Sequence, residues 1–312
     1  MRLAVMMPGQ GSQFVGMGQD LAAVDARAKE LYERADDALG FSLSRVCWEG
    51  PEADLRRTEN AQPAILLHSA VTWSLLPEDV RSRAVCAAGH SLGEFTAYFA
   101  AGALTLEDAL RLVRRRGELM AASGDERAGT MAAVIGLDPE SVEEACRRAS
   151  TGDSVVVPAN FNAPGQIVIS GDVSAVDGAM REATELGARK VLPLNVSGAF
   201  HSPLMRSARE GLAEAVHDTA IQDPVFPVVA NATASLIRTA ADASRQLVAQ
   251  LTSPVRWVES VETLGARDPD LWVELGPGRV LCNLLKRIDR RLESISAGTP
   301  EEIGQLVEAC NA

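Results

Sequence analysis

Gly89-His90-Ser91-Leu92-Gly93 reads G-x-S-x-G and sits between a strand-like and a helix-like segment. Before it, Ala84-Val85-Cys86-Ala87-Ala88 is a short apolar run that suits a buried strand. After it, Glu94-Phe95-Thr96-Ala97-Tyr98-Phe99-Ala100-Ala101 suits a helix. A serine on a sharp strand-to-helix turn is a nucleophile elbow. The turn strains the serine backbone, and neighbours without side chains let strand and helix approach closely. The hydroxyl then stands beside a helix N-terminus, whose partial positive charge favours a developing oxyanion. The plainer alternative is a glycine-rich turn whose serine only caps the helix.

Outward from the elbow, the pattern alternates strand and helix. Met1-Arg2-Leu3-Ala4-Val5-Met6-Met7 reads as a first buried strand ending at Pro8-Gly9, and a strongly apolar helix begins near Ala61. Around Gly124-Asp125-Glu126-Arg127-Ala128-Gly129 the chain turns polar, a crossing into a second unit. That unit reads as strand 130–135, a helix opened by Asp138-Pro139, and strands 154–158 and 166–170 around the loop 159–165. A helix 173–186 and a strand 190–194 complete it. The order β-α-β-β-α-β is a split βαβ, ferredoxin-like pattern. The chain returns near Ser197, followed by a helix 202–217, a strand 225–230, a helix 242–251 and a last strand 271–275. The expectation is an α/β fold. An α/β-hydrolase-like large subdomain with a parallel sheet spans 1–127 and 197–312, and a ferredoxin-like subdomain spans 128–196.

Bulk properties narrow the function. With 30 basic and 42 acidic residues, the net charge of −12 argues against non-specific nucleic-acid binding. Only Lys29, Lys190 and Lys286 are lysines, so the positive charge is nearly all arginine. Arg189-Lys190 and Lys286-Arg287 with Arg290-Arg291 are the local basic clusters, able to focus their own field. No apolar run reaches membrane-spanning length, and Met1–Met7 is too short for a signal peptide. The five cysteines are scattered and lack metal-type spacing, which fits a reducing cytoplasm and no metal site.

A serine nucleophile needs a base, and the four histidines are His68, His90, His201 and His217. His68 lies in the apolar helix and reads as a satisfied core residue. His90 abuts Ser91 and is turned away by the elbow, and His217 lies near a helix end. His201 follows a strand and precedes a helix in a loop, where catalytic residues concentrate; by elimination it is the best base. Arg116 shares the inward face of its helix with Leu112 and Leu119. An unpaired buried charge is costly, so this guanidinium needs a partner, and its fork matches a carboxylate bidentately. That partner is either an internal Asp or Glu, or a carboxylate on the substrate.

Six motifs then fall in order along nearly the whole chain. They are Pro8-Gly9-Gln10-Gly11-Ser12-Gln13, the elbow with Glu94-Phe95, Arg116-Gly117, Asn160-Phe161-Asn162-Ala163-Pro164-Gly165-Gln166, Gly198-Ala199-Phe200-His201, and Glu274-Leu275-Gly276-Pro277-Gly278. The set resembles the malonyl-CoA:acyl carrier protein transacylases. The resemblance implies that Ser91 attacks the malonyl thioester and His201 takes its proton. It implies that a backbone carbonyl near Gln250 orients His201 and that the Gln10 and Leu92 amides form the oxyanion hole. Arg116 would hold the malonyl carboxylate, and Asn162 and Gln166 would border the site. Arg189 and Lys190 would meet the pantetheine arm or the carrier protein. Phe200 resembles the malonyl-selective form of its motif and would crowd an α-methyl branch. Phe95, where tyrosine is common, and a short 77–83 connection are the departures. The partners implied are malonyl-CoA and a holo acyl carrier protein, with no nucleic acid, no membrane and no cofactor, coenzyme A entering as substrate. A monomer is expected, since the mouth of the site must admit a carrier protein. The competing readings are a serine hydrolase or thioesterase acting on acyl-CoA, a transacylase serving a polyketide assembly line or a malonate decarboxylase complex, and a non-catalytic docking module.

Overall fold

The computed structural model describes residues 1–196 and 198–312. It is a mixed α/β fold with two sheets. The larger contains β1 (Leu3–Met7), β2 (Ala84–Gly89), β7 (Val228–Val229), β8 (Leu236–Ile237), β9 (Leu271–Leu275) and β10 (Ser294–Ala297), in the order β10-β9-β1-β2-β7-β8. All neighbours pair in parallel except β7 with β8. The smaller sheet is antiparallel, with β3 (Gly129–Ile135), β4 (Val156–Ala163), β5 (Gln166–Asp172) and β6 (Lys190–Pro193) in the order β4-β5-β3-β6.

Residues of β1 and β9 are buried throughout, as parallel strands covered by helices on both faces should be. The helix Thr58–Leu75 carries apolar side chains all round, and Ile65, Leu66, Leu67 and Val71 lose all solvent contact. Each such side chain contributes about 1.5–3 kcal/mol by leaving water. This helix and the helix Leu106–Glu126 pack together along most of their length and form the floor beneath the elbow.

Several boundaries differ from the sequence expectation. The segment 159–163 is not a loop: β4 runs through Asn160 and Phe161 to Ala163, with irregularities in its pairing that absorb the proline and asparagines. The strand expected over 225–230 shrinks to Val228–Val229, because Pro227 has no N–H to give a ladder. The crossing at 124–129 is only Arg127-Ala128, since the preceding helix continues to Glu126. The helix 202–217 begins as a 3-10 turn, Pro203–Met205, before Arg206–His217. Likewise Ala240–Ala249 gives way to a 3-10 turn at Gln250–Thr252. β9 is not the last strand, as β10 and the helix Pro300–Asn311 follow. The return point expected at Ser197 lies outside the described residues.

Candidate active site

Ser91 lies two residues beyond the end of β2 with φ +53°, an uncommon conformation for a residue with a side chain. The surroundings enforce it. A Cβ on Gly93 would lie 2.2 Å from the Met7 carbonyl oxygen, so the helix Gly93–Ala100 rests directly against the end of β1. The Asn231 side chain locks the turn from the far side. Its Oδ1 accepts from the Ser91 amide at 2.7 Å, and its Nδ2 donates to the Gly89 carbonyl at 2.7 Å.

The Ser91 hydroxyl then meets two side chains. His201 Nε2 lies 2.8 Å from Ser91 Oγ. His201 Nδ1 faces the carbonyls of Gln250 at 2.8 Å and Ser253 at 3.2 Å. Two acceptors at Nδ1 require that nitrogen to carry the proton, which leaves Nε2 free to accept from the serine. Burial, and then the positive charge of Arg116, push the His201 pKa down to about 3, so the ring is neutral at pH 7. Arg116 Nη2 donates to Ser91 Oγ at 2.9 Å and to Gln250 Oε1 at 2.9 Å, while Nη1 donates to Gln62 Oε1 at 2.6 Å. The guanidinium is 1% exposed, and its Nε has no partner among the described residues. Burial lowers its pKa to about 9, partly offset by Glu94, so it stays charged at pH 7. The Phe95 ring lies 5.7 Å from its central carbon. Among the described residues no carboxylate pairs directly with Arg116; amide oxygens stand where an ion-pair partner was one of the two sequence alternatives.

The remaining residues singled out by sequence divide into near and far. The Gln10 loop abuts the elbow, since a Cβ on Gly9 would lie 2.5 Å from the His90 carbonyl oxygen. The Gln10 and Leu92 amides take part in no backbone hydrogen bond among the described residues. Gln10 Nε2 reaches Thr58 Oγ1 at 3.4 Å. His90 turns from the serine and donates through Nε2 to Asn162 Oδ1 at 2.8 Å, linking the elbow to β4. Phe200 is buried, and its ring edge would lie 3.3 Å from a Cβ on Gly198. Gln166 accepts from Arg287. Arg189 and Lys190 are exposed at the start of β6, the outer strand of the small sheet, and make no side-chain bond to the Ser91 cluster among the described residues. His68 is buried but only half satisfied: its Nδ1 lacks a partner among the described residues, contrary to the expected satisfied core residue.

Gln62, Glu94 and Asn231 belong to the cluster and were not singled out by sequence. Gln62 is one polar side chain within the apolar run 61–67, and Asn231 follows the C-terminal end of a parallel-sheet strand, where such folds place ligand sites. Those positions were the available signals. Among the described residues no group of three or more His, Cys, Asp or Glu could hold a metal ion.

A serine hydroxyl held by a neutral imidazole, beside a buried cation and a helix N-terminus, is equipped for acyl transfer. Comparison with known proteins agrees in class. A family model described as an acyl transferase domain matches residues 5–306, and the chain belongs to that family. Among the curated relatives, malonyl CoA-acyl carrier protein transacylase of Bacillus subtilis is 42% identical over 307 residues, covering 98% of this chain and 96% of the relative. The Staphylococcus aureus (strain MRSA252) protein of that name is 39% identical, covering 97% of each. The crystal structure of malonyl-CoA:acyl carrier protein transacylase from Xanthomonas oryzae superposes with a TM-score of 0.94 at 42% identity, over 99% of both chains. A malonyl-transacylase solved in complex with its type II polyketide synthase acyl carrier protein also gives 0.94, at 37% identity, over 99% of this chain and 100% of that one.

Proposed function

We propose that this chain moves a malonyl group from malonyl-CoA to the phosphopantetheine thiol of an acyl carrier protein, through a malonyl-Ser91 intermediate. The observation that carries the reading is the single cluster in which Ser91 Oγ lies 2.8 Å from His201 Nε2 and 2.9 Å from Arg116 Nη2. Ser91 Oγ attacks the thioester carbon as its proton passes to His201 Nε2. The C–S bond breaks and the proton leaves with coenzyme A. In the second half the carrier thiol gives its proton to His201, attacks the ester, and Ser91 Oγ recovers a proton. The Gln250 and Ser253 carbonyls take the orienting place of a triad aspartate. The Gln10 and Leu92 amides receive the oxyanion.

Arg116 gives up its hydroxyl and amide partners to pair bidentately with the malonyl carboxylate. That pairing selects a dicarboxylic acyl group. Phe200 crowds an α-methyl branch, a discrimination worth about 1–3 kcal/mol. Asn162 and Gln166 border the mouth, and Arg189 with Lys190 faces the anionic arm or carrier surface. The architecture is an α/β-hydrolase-like subdomain, 1–127 and 197–312, with a ferredoxin-like insertion, 128–196; the β4-β5-β3-β6 order supports the latter. The enzyme works as a cytoplasmic monomer and uses no cofactor. No helix among the described residues is long and apolar enough to cross a membrane.

Intact-mass measurement after brief exposure to malonyl-, acetyl- and methylmalonyl-CoA tests the reading. A malonyl adduct on Ser91, discharged by holo carrier protein, is expected. Coenzyme A release without an adduct would mean that water takes the acyl group, and would favour a hydrolase.

A further inference from the structure

Glu94 is the one ionisable side chain of the cluster that the transfer steps leave unused. It is fully buried. Its Oε2 accepts from the Asn231 amide at 3.0 Å and from Gln250 Nε2 at 2.9 Å, while Oε1 has no partner among the described residues. The other end of the same Gln250 side chain accepts from Arg116. One amide group therefore separates a buried carboxyl from a buried guanidinium, and among the described residues no other carboxylate bonds to either. Glu94 also steadies the nucleophile, because Asn231 in turn holds the Ser91 amide.

We infer that Glu94 is a positioning residue that balances the Arg116 charge in the free enzyme and takes up a proton from solvent when a malonyl carboxylate arrives on Arg116. The inference rests on the reading that Arg116 receives that carboxylate. Two buried anions around one cation repel each other, and protonating one of them removes the conflict. Burial already lifts the Glu94 pKa to about 7, against the pull of Asn231, Gln250 and Arg116. A second negative charge nearby moves it further in the same direction.

The other groups around Glu94 do not mimic this titration. Arg116, from the helix Leu106–Glu126, stays charged below pH 8, with its pKa near 9. Tyr98, one turn along the same helix as Glu94, is held well above its ordinary range by burial. The Asp242 carboxylate acts on Tyr98 from the helix Ala240–Ala249. His201 and His90 are both pushed down by burial and remain neutral. Coenzyme A thiol release changes the proton balance equally for every acyl donor, so a difference between donors isolates the protein.

The test is a single-turnover acylation followed with a pH indicator in weak buffer, normalised to coenzyme A released. At pH 7 the wild type should take up about half a proton more per malonyl adduct than per acetyl adduct. Glu94→Gln keeps an oxygen acceptor for Asn231 and Gln250 but cannot titrate, and should abolish that excess. The malonyl-CoA KM of the wild type should rise roughly fivefold from pH 6.5 to 8, and that of Glu94→Gln should stay flat. Equal proton uptake for both donors, or an excess that survives in Glu94→Gln, overturns the inference. If that variant does not fold, the wild-type difference between donors decides alone. Arg116→Ala separates the two layers. Unchanged preference for malonyl over acetyl in that variant breaks the Arg116 reading itself. Lost preference without proton uptake in the wild type breaks only the role given to Glu94.

Discussion

The C-terminal ends of the parallel strands β2 and β9 lie on the same side of one sheet, and each has a fully buried glutamate, Glu274 within β9 and Glu94 in the helix that follows β2. At the end of β9, Glu274 accepts from the Leu281 amide at 3.0 Å through one oxygen and from the Cys282 amide at 2.8 Å through the other. It caps the helix Val280–Ile288, and both of its oxygens are occupied. Beyond the end of β2, among the described residues Glu94 has one oxygen without a partner and Arg116 one nitrogen without a partner, and the serine sits in a strained conformation. The ingredients are alike. Satisfied throughout, they make a helix cap; left partly unsatisfied around a cation, they make a site that a charged substrate completes.

The contrast predicts different losses at the two ends. The largest belongs to Ser91. Ser91→Ala should lower transfer by on the order of a thousandfold or more while leaving the melting temperature within a few degrees. A labelled acyl adduct persisting in that variant would remove the β2 end from the chemistry.

Acid should expose the buried histidines, His201 at the β2 end and His68 beneath the β9 end. Burial holds them neutral, with pKa values of about 3 and about 4. The unfolded chain binds protons from about pH 6.5 downward, whereas the folded chain refuses them until far lower. Stability therefore falls as pH drops from 6.5 to 4, by on the order of 3 kcal/mol for each ring. Glu94 slopes the other way: folded, it binds its proton below about 7, while the unfolded chain does so only near 4.5. Glu274, also pushed up by burial, adds to Glu94, and His90, also pushed down by burial, adds to the rings, whose loss sets the net direction. Denaturant melts at pH 4 and 7 should show the loss, and His68→Gln should flatten it; a flat profile in the wild type would contradict the burial of neutral rings.

The smallest effect expected is at Glu274. Glu274→Ala strands two buried amides and should cost about 2 kcal/mol, read as a lower melting temperature. The ratio of malonyl to acetyl transfer should not move. A shifted ratio would mean that the β9 end shares in selection, and the contrast would fail.

Much of this was legible in the sequence because it is local. The elbow announces itself through an apolar run, two glycines and a helix pattern, and Arg116 declares its inward face by spacing from Leu112 and Leu119. What could not be read depends on chain-distant packing. Asn231 reaches Ser91 across 140 positions, and Gln250 reaches Arg116 across 134. Asn231 stands in no pattern that marks it, and Gln250 was marked only by the family resemblance, not by its own spacing. Glu94 was visible in the elbow motif, but the first turn of a helix is an ordinary place for an acidic residue; only its burial and its unpaired oxygen distinguish it. The β4 extension was hidden because proline and asparagine resemble a loop, whereas pairing irregularities let the strand carry them.

The most direct test of the central claim is the ratio of kcat/KM for malonyl-CoA to that for acetyl-CoA, in the wild type and in Arg116→Ala. The buried guanidinium as a carboxylate receptor predicts a malonyl preference that collapses by about a hundredfold in the variant, with acetyl transfer spared or raised. Equal loss for both donors would contradict it and make Arg116 a structural support of Ser91.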